Sequence, residues 1–112
     1  MAERKDIRWT PPEALTSSEL KICKLCKRSG RLFPFLRRRR LELFDESLQA
    51  ELSEMYKDTP KGRPPLPAAM LGMVTLLQAY QGVSDAEAVT RVACDRRWQM
   101  VLDCDGAEEA PF

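Results

Sequence analysis

The sequence predicts an all-α protein: a small helical bundle with a helix-turn-helix-like hairpin and a basic N-terminal arm. Three observations carry this. Apolar residues recur at helical spacing, as in Phe44, Leu48, Leu52 and Met55, and strict alternation is lacking. β-Branched residues are sparse outside 74–75 and 83–92. Thr16-Ser17-Ser18-Glu19 and Ser84-Asp85-Ala86-Glu87 both have the form of a capping box, in which hydroxyl and carboxylate each satisfy one free amide at a helix start. A chain of 112 residues, 44% hydrophobic and 31% charged, supports one domain of this kind.

Residues 1–15, with Trp9, Pro11 and Pro12, read as an irregular arm, and the helical domain runs over 16–102. The first capping box opens a helix over about 17–29, stopped by Gly30. Leu32-Phe33-Pro34-Phe35-Leu36 re-enters a short turn or helix, with Pro34 suited to a first helical position. A third helix runs over about 45–57. Its stripe is Phe44, Leu48, Leu52, Met55 and Tyr56, while Glu46, Gln49, Glu51 and Glu54 face water. Residues 58–65, with three prolines and a glycine, form a linker. The 66–80 stretch is apolar nearly all round and reads as the central buried helix. Gln81-Gly82-Val83 turns the chain, and the second capping box opens a helix with Val89, Val92 and Ala93 on its buried stripe, continuing through Trp98, Met100, Val101 and Leu102. Residues 103–112 read as a loop.

Charge is distributed unevenly. A net charge of +1 conceals nine basic and no acidic residues between positions 21 and 40, ending in Arg37-Arg38-Arg39-Arg40. Such density attracts a polyanion, and nucleic acid is the commonest one. The candidate phosphate contacts are Lys24, Lys27, Arg28, Arg31, Arg37, Arg38, Arg39 and Arg40, joined by Arg96 and Arg97. Two helices joined by a Gly-containing turn outline a helix-turn-helix, and equally any helical hairpin. Asp85 and Glu87 in the first turn of the second helix would repel phosphate, and they suit the positive end of the helix dipole.

Other chemistries are poorly supplied. Histidine is absent, and no nucleophile elbow or phosphate-cradling glycine loop is present. Cys23 and Cys26 form a CxxC, but Cys94 and Cys104 lie ten apart, so the pairing that zinc requires is missing and Cys23 and Cys26 read as small apolar fillers. No metal or cofactor is expected. Trp98 reads as core, whereas Trp9 could stack on a base. The 66–80 stretch is too short to span a bilayer and the N-terminus has no secretory h-region, so the expected compartment is the cytoplasm.

Several blocks together carry a resemblance. They are Leu43-Phe44-Asp45-Glu46-Ser47-Leu48-Gln49-Ala50-Glu51-Leu52, Met55-Tyr56-Lys57-Asp58-Thr59, Gly62-Arg63-Pro64-Pro65-Leu66-Pro67, Leu76-Leu77-Gln78-Ala79, Gly82-Val83-Ser84-Asp85-Ala86-Glu87-Ala88-Val89 and Asp95-Arg96-Arg97-Trp98. In this order and spacing the chain resembles, over 30–112, the N-terminal InsH-type domain of bacterial insertion-sequence DDE transposases. The resemblance implies a helical domain that binds the element's terminal repeats and helps pair the ends, while a separate RNase H-like domain with three carboxylates and two Mg²⁺ ions cuts and joins DNA. Pro111-Phe112 falls where such proteins continue toward the nuclease. The expectation is therefore a DNA-binding transposase fragment without cutting activity. The alternative is an interaction module that self-associates or docks on a full-length transposase.

Overall fold

A computed structural model describes residues 8–56 and 66–112, and the described residues hold six helices and no strand. They are α1 (Ser17–Leu25), α2 (Leu32–Leu43), α3 (Glu46–Tyr56), α4 (Ala68–Gln81), α5 (Asp85–Cys94) and α6 (Arg96–Leu102). The expected 58–65 linker lies outside the described residues.

Both capping boxes form. The Thr16 hydroxyl accepts from the Glu19 amide at 3.1 Å, and the Glu19 carboxylate accepts from the Thr16 amide at 2.9 Å. Ser84 and Glu87 repeat the exchange at 3.2 Å each way. α1 ends at Leu25, short of the expected 29: the Cys26 amide is shared between the Ile22 and Cys23 carbonyls, and the Lys27 amide bonds three residues back to Lys24. Gly30, with φ +76°, then turns the chain into α2.

α2 is a full helix of 12 residues, where the sequence indicated only a short segment around 32–36. Its buried stripe is Phe33, Leu36, Arg37, Arg40 and then Phe44, so two of the inward positions are arginines and no apolar pattern reveals the second half. Pro34 occupies the third helical position, where its missing amide has no intrahelical acceptor to lose.

α3 starts where the Asp45 carboxylate accepts from the Leu48 amide at 2.9 Å. Two side chains depart from the expected pattern. Gln49 is buried, bonding the Trp9 amide and the Trp9 and Phe44 carbonyls, and Met55 is 73% exposed. Gln49 thereby fastens the arm to the domain. Trp9 is buried edge-on to Phe44, with ring centroids 6.2 Å apart, so it serves as an anchor in the core and not as an exposed stacking surface.

α4 is amphipathic, not buried all round: Ala69, Met70, Met73, Val74 and Leu77 face inward, while Leu71, Leu76 and Tyr80 remain exposed. Gly82, with φ +65°, closes it through a Gly82 amide bond to the Gln78 carbonyl at 2.7 Å. α5 buries Ala88 and Val92, and Val89 points outward. The chain does not continue as one helix. It breaks at Asp95 (φ −109°, ψ 110°), whose carboxylate then caps α6 by accepting from the Arg97 amide at 2.9 Å.

The central element is α6. Trp98, Gln99, Met100, Val101 and Leu102 are all buried, and this seven-residue helix packs against α1, α2, α4 and α5. Trp98 fills the core as expected, its indole N–H donating to the Gln81 side chain at 2.8 Å. α3 packs on α4. The terminal segment is tied down by Gln99, which donates to the Val92 and Ala107 carbonyls and accepts from the Gly106 amide, and Phe112 packs against the core. No helix among the described residues is long and apolar enough to cross a membrane.

Candidate nucleic-acid interface

The four consecutive arginines of α2 divide by helical geometry. Successive residues step by a quarter turn or so, so 37 and 40 fall on one face and 38 and 39 on the other. Arg37 and Arg40 are each 1% exposed, which corrects the reading of the tetrad as four surface charges. A charge buried this deeply requires pairing: Arg37 has it through all three of its nitrogens, whereas Arg40 is held by three carbonyls and its Nε has no hydrogen-bond partner among the described residues. Arg37 grips Glu19 with Nε at 3.0 Å and Nη2 at 3.1 Å, and donates to the Glu13 and Ala14 carbonyls. Arg40 donates to the Met100 and Val101 carbonyls at 2.9 and 3.0 Å and to the Pro12 carbonyl at 2.8 Å. The first two belong to the last turn of α6, whose carbonyls lack helical partners and carry the negative end of the dipole. Trp9 lies 5.8 Å from the same guanidinium.

These contacts set the local electrostatics. Burial pulls the Arg40 pKa down to about 10, leaving it charged at neutral pH. Burial by itself would raise the Glu19 carboxyl. The hydrogen bonds from Arg37 and the Thr16 amide, with the charges of Arg37 and Arg40, outweigh that and hold it below its ordinary value. Arg37 and Arg40 thus join α1, α2, α6 and the arm, and neither presents a guanidinium to a ligand.

The opposite face of α2 is different in kind. Arg31, Phe35, Arg38, Arg39 and Glu42 are all exposed, with Phe35 at 51%. Arg39 pairs with Glu42 at 3.1 Å, an exposed i,i+3 contact, and lies 6.0 Å over the Phe35 ring. Arg38 has no hydrogen-bond or charge partner among the described residues. The basic surface extends across the α1–α2 turn, where Lys21, Lys24, Lys27 and Arg28 are exposed and the Arg31 Nε donates to the Lys27 carbonyl at 2.9 Å.

Arg96 and Arg97 separate as well. Arg96 is exposed and donates to the Ser18 hydroxyl at 2.7 Å, at the start of α1. Arg97 is half-buried, pairs with Asp95 through two bonds of 3.0 and 2.7 Å, and lies 4.5 Å over the Phe33 ring. A side chain on Gly30 would meet Phe33 and Arg97 at 3.2 and 3.3 Å, so the α1–α2 turn sits directly on this guanidinium. The hydrogen bond to Asp95 raises the Arg97 pKa. Asp95, which burial alone would push up, is held low by Arg97. Arg97 is therefore a neutralised strut beneath the basic turn.

In the sequence Phe35 reads only as one more apolar residue of the 32–36 segment, with nothing to mark it as an exposed ring except its i,i+4 relation to Arg31 and i,i+3 relation to Arg38. Elsewhere, Cys26 is buried among the core side chains, the four cysteines are unpaired, and no group of three Cys, Asp or Glu among the described residues is placed to hold a metal ion.

The geometry defines a helical domain that exposes basic side chains along α1, the following turn and the outside of α2. Residues 22–111 match the family described as Transposase domain (DUF772), and the chain belongs to it. No curated protein and no solved structure matches.

Proposed function

We propose that this chain is a DNA-binding domain of an insertion-sequence transposase, that it grips the element's terminal DNA, and that it does not itself cut. The observation that carries the reading is that Lys21, Lys24, Lys27, Arg28, Arg31 and Arg38, spread over α1, the following turn and the outside of α2, are all exposed and without acidic partners among the described residues. Arg39 and Arg96 flank it. A rigid array of this kind neutralises phosphates and gains affinity from released counterions. Four of the acids serve the fold: Glu19 and Asp95 hold arginines, and Asp45 and Glu87 cap helices. Chemistry on the DNA strand would then fall to carboxylates outside this set. The reading places the protein in the cytoplasm with its DNA.

Titrating a fluorescent duplex with the protein at several salt concentrations tests this. Contact with about five phosphates gives a log–log slope near −4.5. Changing Lys21, Lys24, Lys27 and Arg28 together to Ala should flatten it and weaken binding to every duplex alike. Absence of binding at low salt, or cleavage of a plasmid by the purified chain, overturns the proposal.

A second reading has its own observation: Leu71, Leu76, Tyr80 and Val89 leave the α4–α5 hairpin with exposed apolar side chains. It makes the hairpin a surface for self-association or for docking on a full-length transposase. A strict monomer in light scattering, with no capture of the full-length enzyme, removes it.

A further inference from the structure

We propose that α2 is the helix that reads base edges, lying in the major groove with Arg31, Phe35 and Arg38 directed at the bases. The inference rests on the DNA-binding reading above and assigns it a base-reading element, which the phosphate contacts do not supply. It also moves recognition away from α5, the second helix of the hairpin, whose exposed first turn carries Asp85 and Glu87.

Four features of α2 support it. Arg31, Phe35 and Arg38 follow one another at i, i+4 and i+7 and are all exposed, so they form a line along the helix. Seven residues at about 1.5 Å each cover about 10 Å, the rise of roughly three base-pair steps. The chemistry suits groove edges: an arginine fork matches the O6 and N7 of guanine, and an apolar ring meets the methyl group of thymine. The helix is held rigidly from behind by Phe33, Leu36, Arg37 and Arg40, so the line is fixed relative to the phosphate-binding cations Lys24, Lys27 and Arg28.

The state of Phe35 separates duplex from single strand. A stacking platform for an unpaired base offers an open ring face, whereas this ring is only half exposed and Arg39 lies 6.0 Å over it. What protrudes is suited to a methyl contact in a groove.

The test is selection from a pool of random-sequence duplexes, followed by titration of the enriched sequence. The wild-type chain should enrich a motif of three or four base pairs per copy. F35A and R38Q, both at exposed positions, should keep the fold by circular dichroism and lose about tenfold in affinity for that motif, while binding to unrelated duplexes changes far less for F35A. Replacing thymine by uracil at the Phe35-dependent position should weaken the wild type and leave F35A unaffected. E87A on α5 should leave the motif unchanged. If the chain retains no DNA at all, the DNA-binding reading fails first. If it binds DNA but enriches no motif, or enriches the same motif in F35A and R38Q, only the assignment of α2 fails. Preference for single-stranded over duplex competitor also overturns it.

Discussion

Replacing Arg37 and Arg38 one at a time should separate folding from binding at adjacent positions. R37A leaves the Glu19 carboxylate buried beside an empty site and removes the donor from the Glu13 and Ala14 carbonyls. Breaking a buried pair by deleting one partner costs about 3–5 kcal/mol, a large part of the roughly 5–15 kcal/mol by which domains are stable. With a urea m-value of about 1.5 kcal/mol per molar, the midpoint should fall by about 2–3 M. R38A removes an exposed side chain and should move stability by no more than about 0.5 kcal/mol. It should instead lower affinity for the preferred duplex by about tenfold, the loss of one arginine contact to a base edge. The double variant E19Q/R37M distinguishes an unpaired charge from lost packing. The amide oxygen of the substituted side chain can still accept from the Thr16 amide and complete the capping box, no carboxylate is stranded, and most of the stability should return. Urea denaturation followed by circular dichroism, with fluorescence anisotropy on a labelled duplex, measures both quantities. The reasoning is refuted if R37A unfolds at the wild-type midpoint while losing DNA affinity as R38A does.

Acid should act through the same pair. Because the folded Glu19 pKa lies below its ordinary 4.5, the stability it contributes is complete above that value and is lost as pH falls through the folded pKa. Thermal melts from pH 6 to pH 2.5 should show a decline that is smaller in E19Q/R37M. G72A should destabilise despite alanine's better helix propensity. The new Cβ would sit 2.8 Å from the Phe44 ring, itself wedged against Trp9, so overpacking of about 1–3 kcal/mol exceeds a gain of about 1 kcal/mol. A raised urea midpoint for G72A would show that the ring yields freely. S84A removes the hydroxyl that caps α5 and should lower stability by about 1 kcal/mol, with DNA affinity unchanged; a loss of affinity would place α5 in the interface.

What the sequence determined by itself is local or compositional. Helix starts at Thr16 and Ser84, the turns at Gly30 and Gly82, the burial of Trp98 and the basic character of residues 21–40 follow from side chains within a few positions of one another, and the family follows from ordered blocks. Tertiary structure decided which face each charge takes. Arg37 turns inward because Glu19 and the arm carbonyls await it, and Arg40 because the end of α6, sixty residues away, offers unpaired carbonyls. Gln49 is buried only because Trp9 docks forty residues from it. The break at Asp95, the central place of α6 and the outward turn of Phe35 have the same origin. A long polar side chain is indifferent to its helix face until a distant partner compensates its desolvation, and no periodicity within the helix records where that partner will lie.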